Sequence, residues 1–307
     1  MLISLVVPVY NEGPRIARHL QSILTAAHTV GCELELLAVD DGSNDESASE
    51  IQRLVEVDGR VRLLSLTRNF GKEAAIYAGL EHARGEAVVV LDADLQHPPA
   101  LIPEMIRAWR AGEHIVEAVK RERNDPSRLD SLFARAFYSL YRRMSGFDIA
   151  GHSDFKLLDR QVVDIYLQLP ERYRFFRGLV NWTGISGRVL HFDVEPRPGS
   201  RSRWSKLGLM RYAVNNVTAF STIPLAVVAW LGCLTLAFGV VVALITVLQK
   251  LTGQAQAGFT TVNILLILLG GSIMTSLGIM GHYIGKIYVE IKSRPVYIVK
   301  LTDRKRP

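Results

Sequence analysis

Thiols are almost absent from this chain: among 307 residues only Cys32 and Cys233 carry one, far apart in the sequence. So few and so separated, they exclude a disulfide framework and a cysteine-built metal knuckle. Charge is missing from two long stretches, because no Asp, Glu, Lys or Arg lies between Arg211 and Lys250, and none between Lys250 and Lys286. Each gap holds an apolar run, about Pro224–Leu248 and about Phe259–Tyr283. As a helix rising ~1.5 Å per residue, either run reaches roughly 37 Å, enough for a ~30 Å hydrocarbon core with some tilt. A basic leader is missing too: MLISLVVPVYNE turns polar within a few positions, which predicts a first strand and not a signal peptide. No nucleic-acid-binding motif is present.

What is there is apolar and mildly basic: 49% hydrophobic residues and a net charge of +6. The basic residues cluster beside the apolar runs. Arg201, Arg203, Lys206 and Arg211 precede the first, while Lys286, Lys292, Arg294, Lys300, Arg304, Lys305 and Arg306 follow the second. The connector carries only Lys250, so the positive-inside rule predicts both termini in the cytoplasm and a short hairpin loop outside. The same residues predict attraction to anionic lipid and phosphate, with no nucleic acid as partner.

The first two hundred residues alternate strand and helix patterns. Leu2–Pro8, Glu33–Val39, Val61–Leu66 and Ala87–Leu91 are short β-rich runs, and helical spacing begins near Glu12, Asp45, Gly71 and Pro99. This βαβ progression predicts an α/β fold with a mostly parallel sheet flanked by helices. Every strand end carries polar, ligand-type residues: Pro8-Val9-Tyr10-Asn11-Glu12, Asp40-Asp41-Gly42-Ser43, Thr67-Arg68-Asn69-Phe70-Gly71-Lys72 and Asp92-Ala93-Asp94. Singly these are caps, turns and a solvated lysine. Together, on the carboxyl edge of one sheet, they predict a nucleotide crevice with the Asp-x-Asp pair near a diphosphate and its cation.

The motifs VVPVYNE (6–12), VDDGSND (39–45), LTRNFGKEAAIYAGL (66–80), LDADLQHPP (91–99) and SDFKLLDR (153–160), with the two apolar runs, resemble the polyisoprenyl-phosphate glycosyltransferases. These are dolichol-phosphate-mannose-synthase-like members of glycosyltransferase family 2, and the likeness is to their bacterial two-span branch. The resemblance implies a GT-A domain at 1–202 and a membrane hairpin with a basic tail at 223–307; between them, at 203–222, the spacing of Leu207, Met210, Val214 and Val217, with Lys206 and Arg211 across from them, predicts an amphipathic interfacial helix. It implies inverting transfer of a sugar from a nucleotide-sugar donor, UDP-glucose or a related UDP-sugar, to a polyprenyl phosphate, in the inner (cytoplasmic) membrane. It implies that Pro8, Tyr10, Glu12 and Asp41 line the base and ribose pocket, with Lys72 and Asp92 toward ribose and diphosphate. Asp94 and Gln96 would hold Mg²⁺ or Mn²⁺. A homo-oligomer, such as a tetramer, is implied by family precedent alone.

The same resemblance makes Asp154 the candidate catalytic base, beside Asp92 and Asp94. Without it, Asp154 reads equally as a cap for a helix beginning near Asp159. A phosphate monoester, with its second pKa near ~6, is already largely ionised at neutral pH, so Asp154 has an alternative use in positioning substrate. Arg121, Arg123, Arg197, Arg201, Arg203 and Lys206 are the cations available to an acceptor phosphate. Arg203 and then Arg201 best match the basic position that the family carries after its Gly-x-Ser. A processive polysaccharide synthase and a non-catalytic membrane scaffold are the competing readings. The first lacks the Gln of its Gln-x-x-Arg-Trp motif in SRSRW (200–204), and the second would not need all three carboxylates.

Overall fold

The structure, a computed structural model, describes residues 1–28, 31–120, 153–192, 223–252 and 258–301. Strands β1 (Leu2–Val9), β2 (Glu33–Asp40), β3 (Val61–Ser65) and β4 (Ala87–Val90) alternate with helices α1 (Ile16–Ala27), α2 (Ser47–Val57) and α3 (Lys72–His82). Then come α4 (Ile102–Arg110), β5 (Ile115–Lys120), β6 (Lys156–Asp159), α5 (Arg160–Gln168), α6 (Phe176–Trp182) and β7 (Arg188–Phe192). One seven-stranded sheet results, in the order β3-β2-β1-β4-β6-β5-β7. β1 pairs in parallel with β2 and β4, β2 with β3, and β5 with β7, while β6 runs antiparallel between β4 and β5. This is the expected α/β class, a mixed sheet with helices on both faces.

Strand periodicity decides which helix covers which face. Ile3, Leu5, Val7 and Val9 of β1 bury against Ile16, Leu20, Ile23 and Leu24 of α1 and Met105 and Ile106 of α4. Full burial of each such side chain stabilises the fold by about 1.5–3 kcal/mol. The opposite face of β1 meets α3, which approaches closely because its inner residues are small: Ala74, Ala75, Ala78 and Gly79. A Cβ on Gly79 would lie 2.2 Å from Val6 Cγ1, so the close approach of this helix requires glycine there.

The expected helix near Asp159 is present as α5, and its N-cap is Asp159, whose side chain accepts the Gln161 N–H at 2.9 Å. Asp154 does not cap it. It precedes β6, a strand that the sequence pattern did not suggest.

The chain divides into two units, one of Met1–Arg201 with Arg294–Pro307 and the other of Ser202–Ser293. The described part of the tail, 294–301, grouped with the hairpin by its sequence, packs with the first unit. In the second unit, α7 (Ile223–Leu251) and α8 (Phe259–Ile291) are long helices. Leu225–Gln249 of α7 is long and apolar enough to cross a membrane, by length and composition. α8 continues past its expected end at Tyr283 through Lys286 and Glu290. The expected interfacial helix at 203–222 lies outside the described residues.

Candidate active site

The βα junctions at the carboxyl ends of β1, β2, β3 and β4 form one cleft. Pro8, Tyr10, Glu12, Asp41, Lys72, Asp92 and Asp94, all anticipated from the sequence, line it together with Val9, Asn69, Ala75 and Ala93. The first two junctions are laced to each other. Ser43 Oγ accepts the Asn11 N–H at 3.0 Å, and Asn11 Oδ1 accepts the Asn44 N–H at 2.9 Å. Ser47 Oγ accepts the N–H groups of both Glu12 and Gly13 at 2.9 Å. Asn11 adopts φ +53°, a left-handed conformation that asparagine tolerates better than most residues.

Asp41 fixes the third junction. Its two carboxylate oxygens accept the N–H groups of Phe70 (2.7 Å) and Gly71 (2.9 Å). Burial raises the Asp41 carboxyl above its ordinary value even though both amides favour the ionised form. Gly42 allows the turn: at φ +68° its Cα faces the Arg68 backbone, and a Cβ would stand 2.3 Å from the Arg68 carbonyl carbon.

The charged centre is Lys72, the first residue of α3. A lysine at this end of a helix opposes the helix dipole and needs compensation from anions. Its ammonium forms ion pairs with Asp92 Oδ1 and, at 2.7 Å, with Asp154 Oδ2. Burial disfavours its charge, yet the Asp154 and Asp92 carboxylates outweigh that and hold Lys72 above the usual lysine value. Asp154, only 4% exposed, also receives a two-pronged contact from Arg177, Nε to Oδ1 at 2.6 Å and Nη2 to Oδ2 at 3.0 Å. Burial penalises this carboxylate, but Arg177 and Lys72 overcome the penalty and keep it well below the usual carboxylate range. Asp154 is thus an anion clamped between two cations and poorly suited to accept a proton.

Beneath this cluster lies a buried pair, Lys156 on β6 with Glu117 opposite it on β5. Burial pushes the Lys156 ammonium below its ordinary value despite that partner. Glu117 Oε1 also accepts the Ser153 N–H at 3.2 Å, which fixes the turn that presents Asp154. Glu73, next to Lys72, accepts the Phe176 N–H at 2.8 Å. Burial and then the Asp154 charge push its carboxyl up to about 7.

Asp94 Oδ1 accepts the Gln96 N–H at 3.0 Å, and the turn between them places Leu95 at φ +57°. Gln96 itself is exposed and is not part of the cleft lining. Among the described residues, no three His, Cys, Asp or Glu side chains cluster as a metal site. That donor set suits a hard cation that takes one or two carboxylates from protein and the rest from a substrate diphosphate and water, as Mg²⁺ does. Arg121, Arg123, Arg197, Arg201, Arg203 and Lys206 lie outside the described residues.

Sequence reasoning gave no role to Arg177, although a signal was present. An arginine within Phe175-Phe176-Arg177-Gly178-Leu179-Val180 stands in an apolar helix and requires a carboxylate partner.

The profile of Glycosyl transferase family 2 matches residues 4–166. The SfII prophage-derived bactoprenol glucosyl transferase of Shigella flexneri is 36% identical over 309 residues, covering 100% of both chains. The prophage bactoprenol glucosyl transferase homolog of Escherichia coli K12 is 35% identical over 302 residues, 98% of this chain and 99% of that one. An uncharacterised glycosyltransferase of Synechocystis sp. is 35% identical over 299 residues, 97% of this chain and 94% of its own. With the profile matching over the segment that builds the cleft, and with relatives of this identity along its full length, the chain belongs to glycosyltransferase family 2.

Proposed function

We propose that this enzyme moves glucose, or a closely related hexose, from a UDP-sugar to a polyprenyl phosphate, with inversion at the anomeric carbon. The observation that carries the reading is the Lys72 ammonium held between Asp92 of the Asp-x-Asp pair and Asp154, inside a cleft built from four consecutive strand ends. The relatives named for bactoprenol glucosyl transfer, matched over their whole length, support the acceptor class.

In this reading Tyr10, 43% exposed, offers its ring to the base, and Asp41 and Glu12 face the ribose. Asp94 and Asp92 would hold Mg²⁺ or Mn²⁺, and the bound cation would neutralise charge on the departing diphosphate. Gln96 would have to turn inward to join them. Lys72 donates to the same diphosphate, and Asp154, kept ionised, aims Lys72. An oxygen of the acceptor phosphate, already anionic, attacks the anomeric carbon as the bond to the diphosphate breaks and the nucleoside diphosphate leaves with the electron pair. No proton needs to be accepted. Arg121, Arg123, Arg201 and Arg203 supply cations for the acceptor phosphate. α7 and α8 cross the inner membrane as a hairpin with both chain ends on the cytoplasmic side, so that the lipid phosphate is met at headgroup level.

The test is incubation of the detergent-solubilised protein with undecaprenyl phosphate, Mg²⁺ and a panel of UDP- and GDP-sugars, with lipid products read by mass spectrometry. One lipid-linked sugar, lost in Asp94→Ala, is expected. Nucleotide binding without a lipid product from any donor would refute the reading.

A further inference from the structure

β3 ends the sheet, and an uncovered edge strand is an open template for pairing. Here the chain itself covers the upper end of that edge. After α8 the backbone returns to the first unit, where the Ile298 carbonyl accepts the Thr67 N–H at 2.9 Å and the Lys300 N–H donates to the Ser65 carbonyl at 2.8 Å. Leu66 and Val299 face each other as an antiparallel bridge. Tyr297 anchors the segment: its hydroxyl donates to Glu81 Oε2 at 2.7 Å, and its ring packs edge-on against Tyr77 at 6.1 Å.

The place where this segment lands is the start of the loop that builds the third wall of the cleft. Two residues beyond Thr67, Asn69 lines the cleft, and the next two amides, of Phe70 and Gly71, are the ones held by Asp41. The tail therefore grips one end of a short loop whose other end Asp41 grips. It also brings a charge. Lys300 Nζ lies 3.9 Å from Asp40 Oδ2. Asp40 is fully buried; its Oδ1 accepts the Ser43 N–H at 3.1 Å, and its Oδ2 has no hydrogen-bond partner among the described residues. A buried carboxylate oxygen without a partner is costly, and Lys300 is the cation that approaches it.

We propose that residues 294–301 are a functional part of the donor-nucleotide site, in which the returning strand positions the 67–71 loop and Lys300 neutralises Asp40 beside Asp41. This rests on reading the cleft as a nucleotide-sugar site. Residues 294–301 would then act on donor binding and leave the acceptor step alone. Lys300 and Tyr297 are positioning residues: neither lines the cleft.

The experiment compares the full-length protein with Lys300→Met, Lys300→Pro and Tyr297→Phe, measuring UDP affinity by calorimetry and the KM values for donor and acceptor separately. Lys300→Pro removes the N–H that bonds Ser65, whereas Lys300→Met removes only the charge. Expected is UDP binding weakened about twofold to thirtyfold, a donor KM raised in parallel, an unchanged acceptor KM, and recovery in Lys300→Arg. Tyr297→Phe deletes one surface hydroxyl and keeps the fold, so it stands as the second variant if Lys300→Pro does not fold. UDP affinity unchanged in Lys300→Met and Tyr297→Phe overturns the proposal, as does an equal rise in both KM values. A wild-type protein that binds no nucleotide would instead overturn the reading of the cleft itself.

Discussion

Replacing Asp154 with Asn removes one negative charge and keeps the shape, which isolates the purpose of that charge. In the native protein the carboxylate is 4% exposed and is met by Lys72 and Arg177, whose side chains are 42% and 32% exposed. Removing one partner of a fully buried pair costs about 3–5 kcal/mol. Both cations here reach solvent, so a loss of about 1–3 kcal/mol is expected after screening. The effect on turnover separates two chemistries. A general base contributes about 10²–10⁴-fold, and its loss leaves a rate that climbs with pH and recovers when a small external base is added. A fixed anion that aims Lys72 gives a lower plateau with an unchanged pH profile and no recovery. Burial penalises the Asp154 carboxylate, but Arg177 and Lys72 outweigh that and hold its carboxyl well below the usual range, which favours the anion. The expected result is the second: a kcat reduced roughly 10–100-fold in Asp154→Asn and insensitive to added formate. Stopped-time assays of lipid-linked sugar from about pH 5 to 9, with and without formate, decide it. Restoration of the native rate by formate would refute the positioning role.

Arg177→Met should reduce kcat by about the same factor, and Arg177→Lys should recover only part of it, since an ammonium cannot reproduce the planar two-pronged contact; full activity in Arg177→Met would sink the clamp. Glu73 has a carboxyl pushed up to about 7 in the folded protein, against an ordinary value of 4.5. Its contribution to stability is therefore fully present below the unfolded value and is lost as pH rises through about 7. Melting curves at acid and alkaline pH should differ less in Glu73→Gln than in the native protein, and an equal difference in both would contradict the assignment. Gly42→Ala forces a Cβ to within 2.3 Å of the Arg68 carbonyl carbon at a φ of +68°, so a loss of about 3 kcal/mol or more is expected, with a depressed Tm. A native Tm would mean that the turn can open without cost.

The parallel half of the sheet was legible because its strands are short apolar runs, and the junctions after them carry residues that have no structural reason to be polar together. Pro8, Tyr10, Glu12, Asp41, Lys72, Asp92 and Asp94 all reached one cleft for that reason. β6 was not legible, since its first residue is Lys156, and a lysine is a poor marker of a buried strand. The cross-strand Glu117 makes it tolerable, and that pairing is a property of the sheet and not of either segment. The tail failed in another way. Val296-Tyr297-Ile298-Val299 is as β-rich as any strand in the chain, but it lies among basic residues that mark it first as a charged tail. The apolar neighbours of Arg177 signal that it needs a carboxylate, but that carboxylate lies on a different element and no local pattern says which one it is.

The order in which the strands pair explains why the site needs Lys72. β4 and β6 run antiparallel with Val90 opposite Lys156, so the carboxyl end of one strand meets the amino end of the other. Asp92 lies two residues beyond the end of β4 and Asp154 two residues before the start of β6, so both carboxylates fall at the same end of the paired strands. Like charges brought close together repel. A cation beside them relieves that repulsion, and the helix that begins after β3 brings one, as α6 brings Arg177 to Asp154. Lys72 fills that position, pairing with both carboxylates at once. The antiparallel strand thus brings a second carboxylate, Asp154, within reach of the lysine that pairs with Asp92. In the proposed reaction the negative charge of the donor diphosphate would compete with Asp92 for the same ammonium. Donor binding would then loosen the Lys72–Asp92 pair and leave Asp92 to a divalent cation, while Arg177 keeps Asp154 in place.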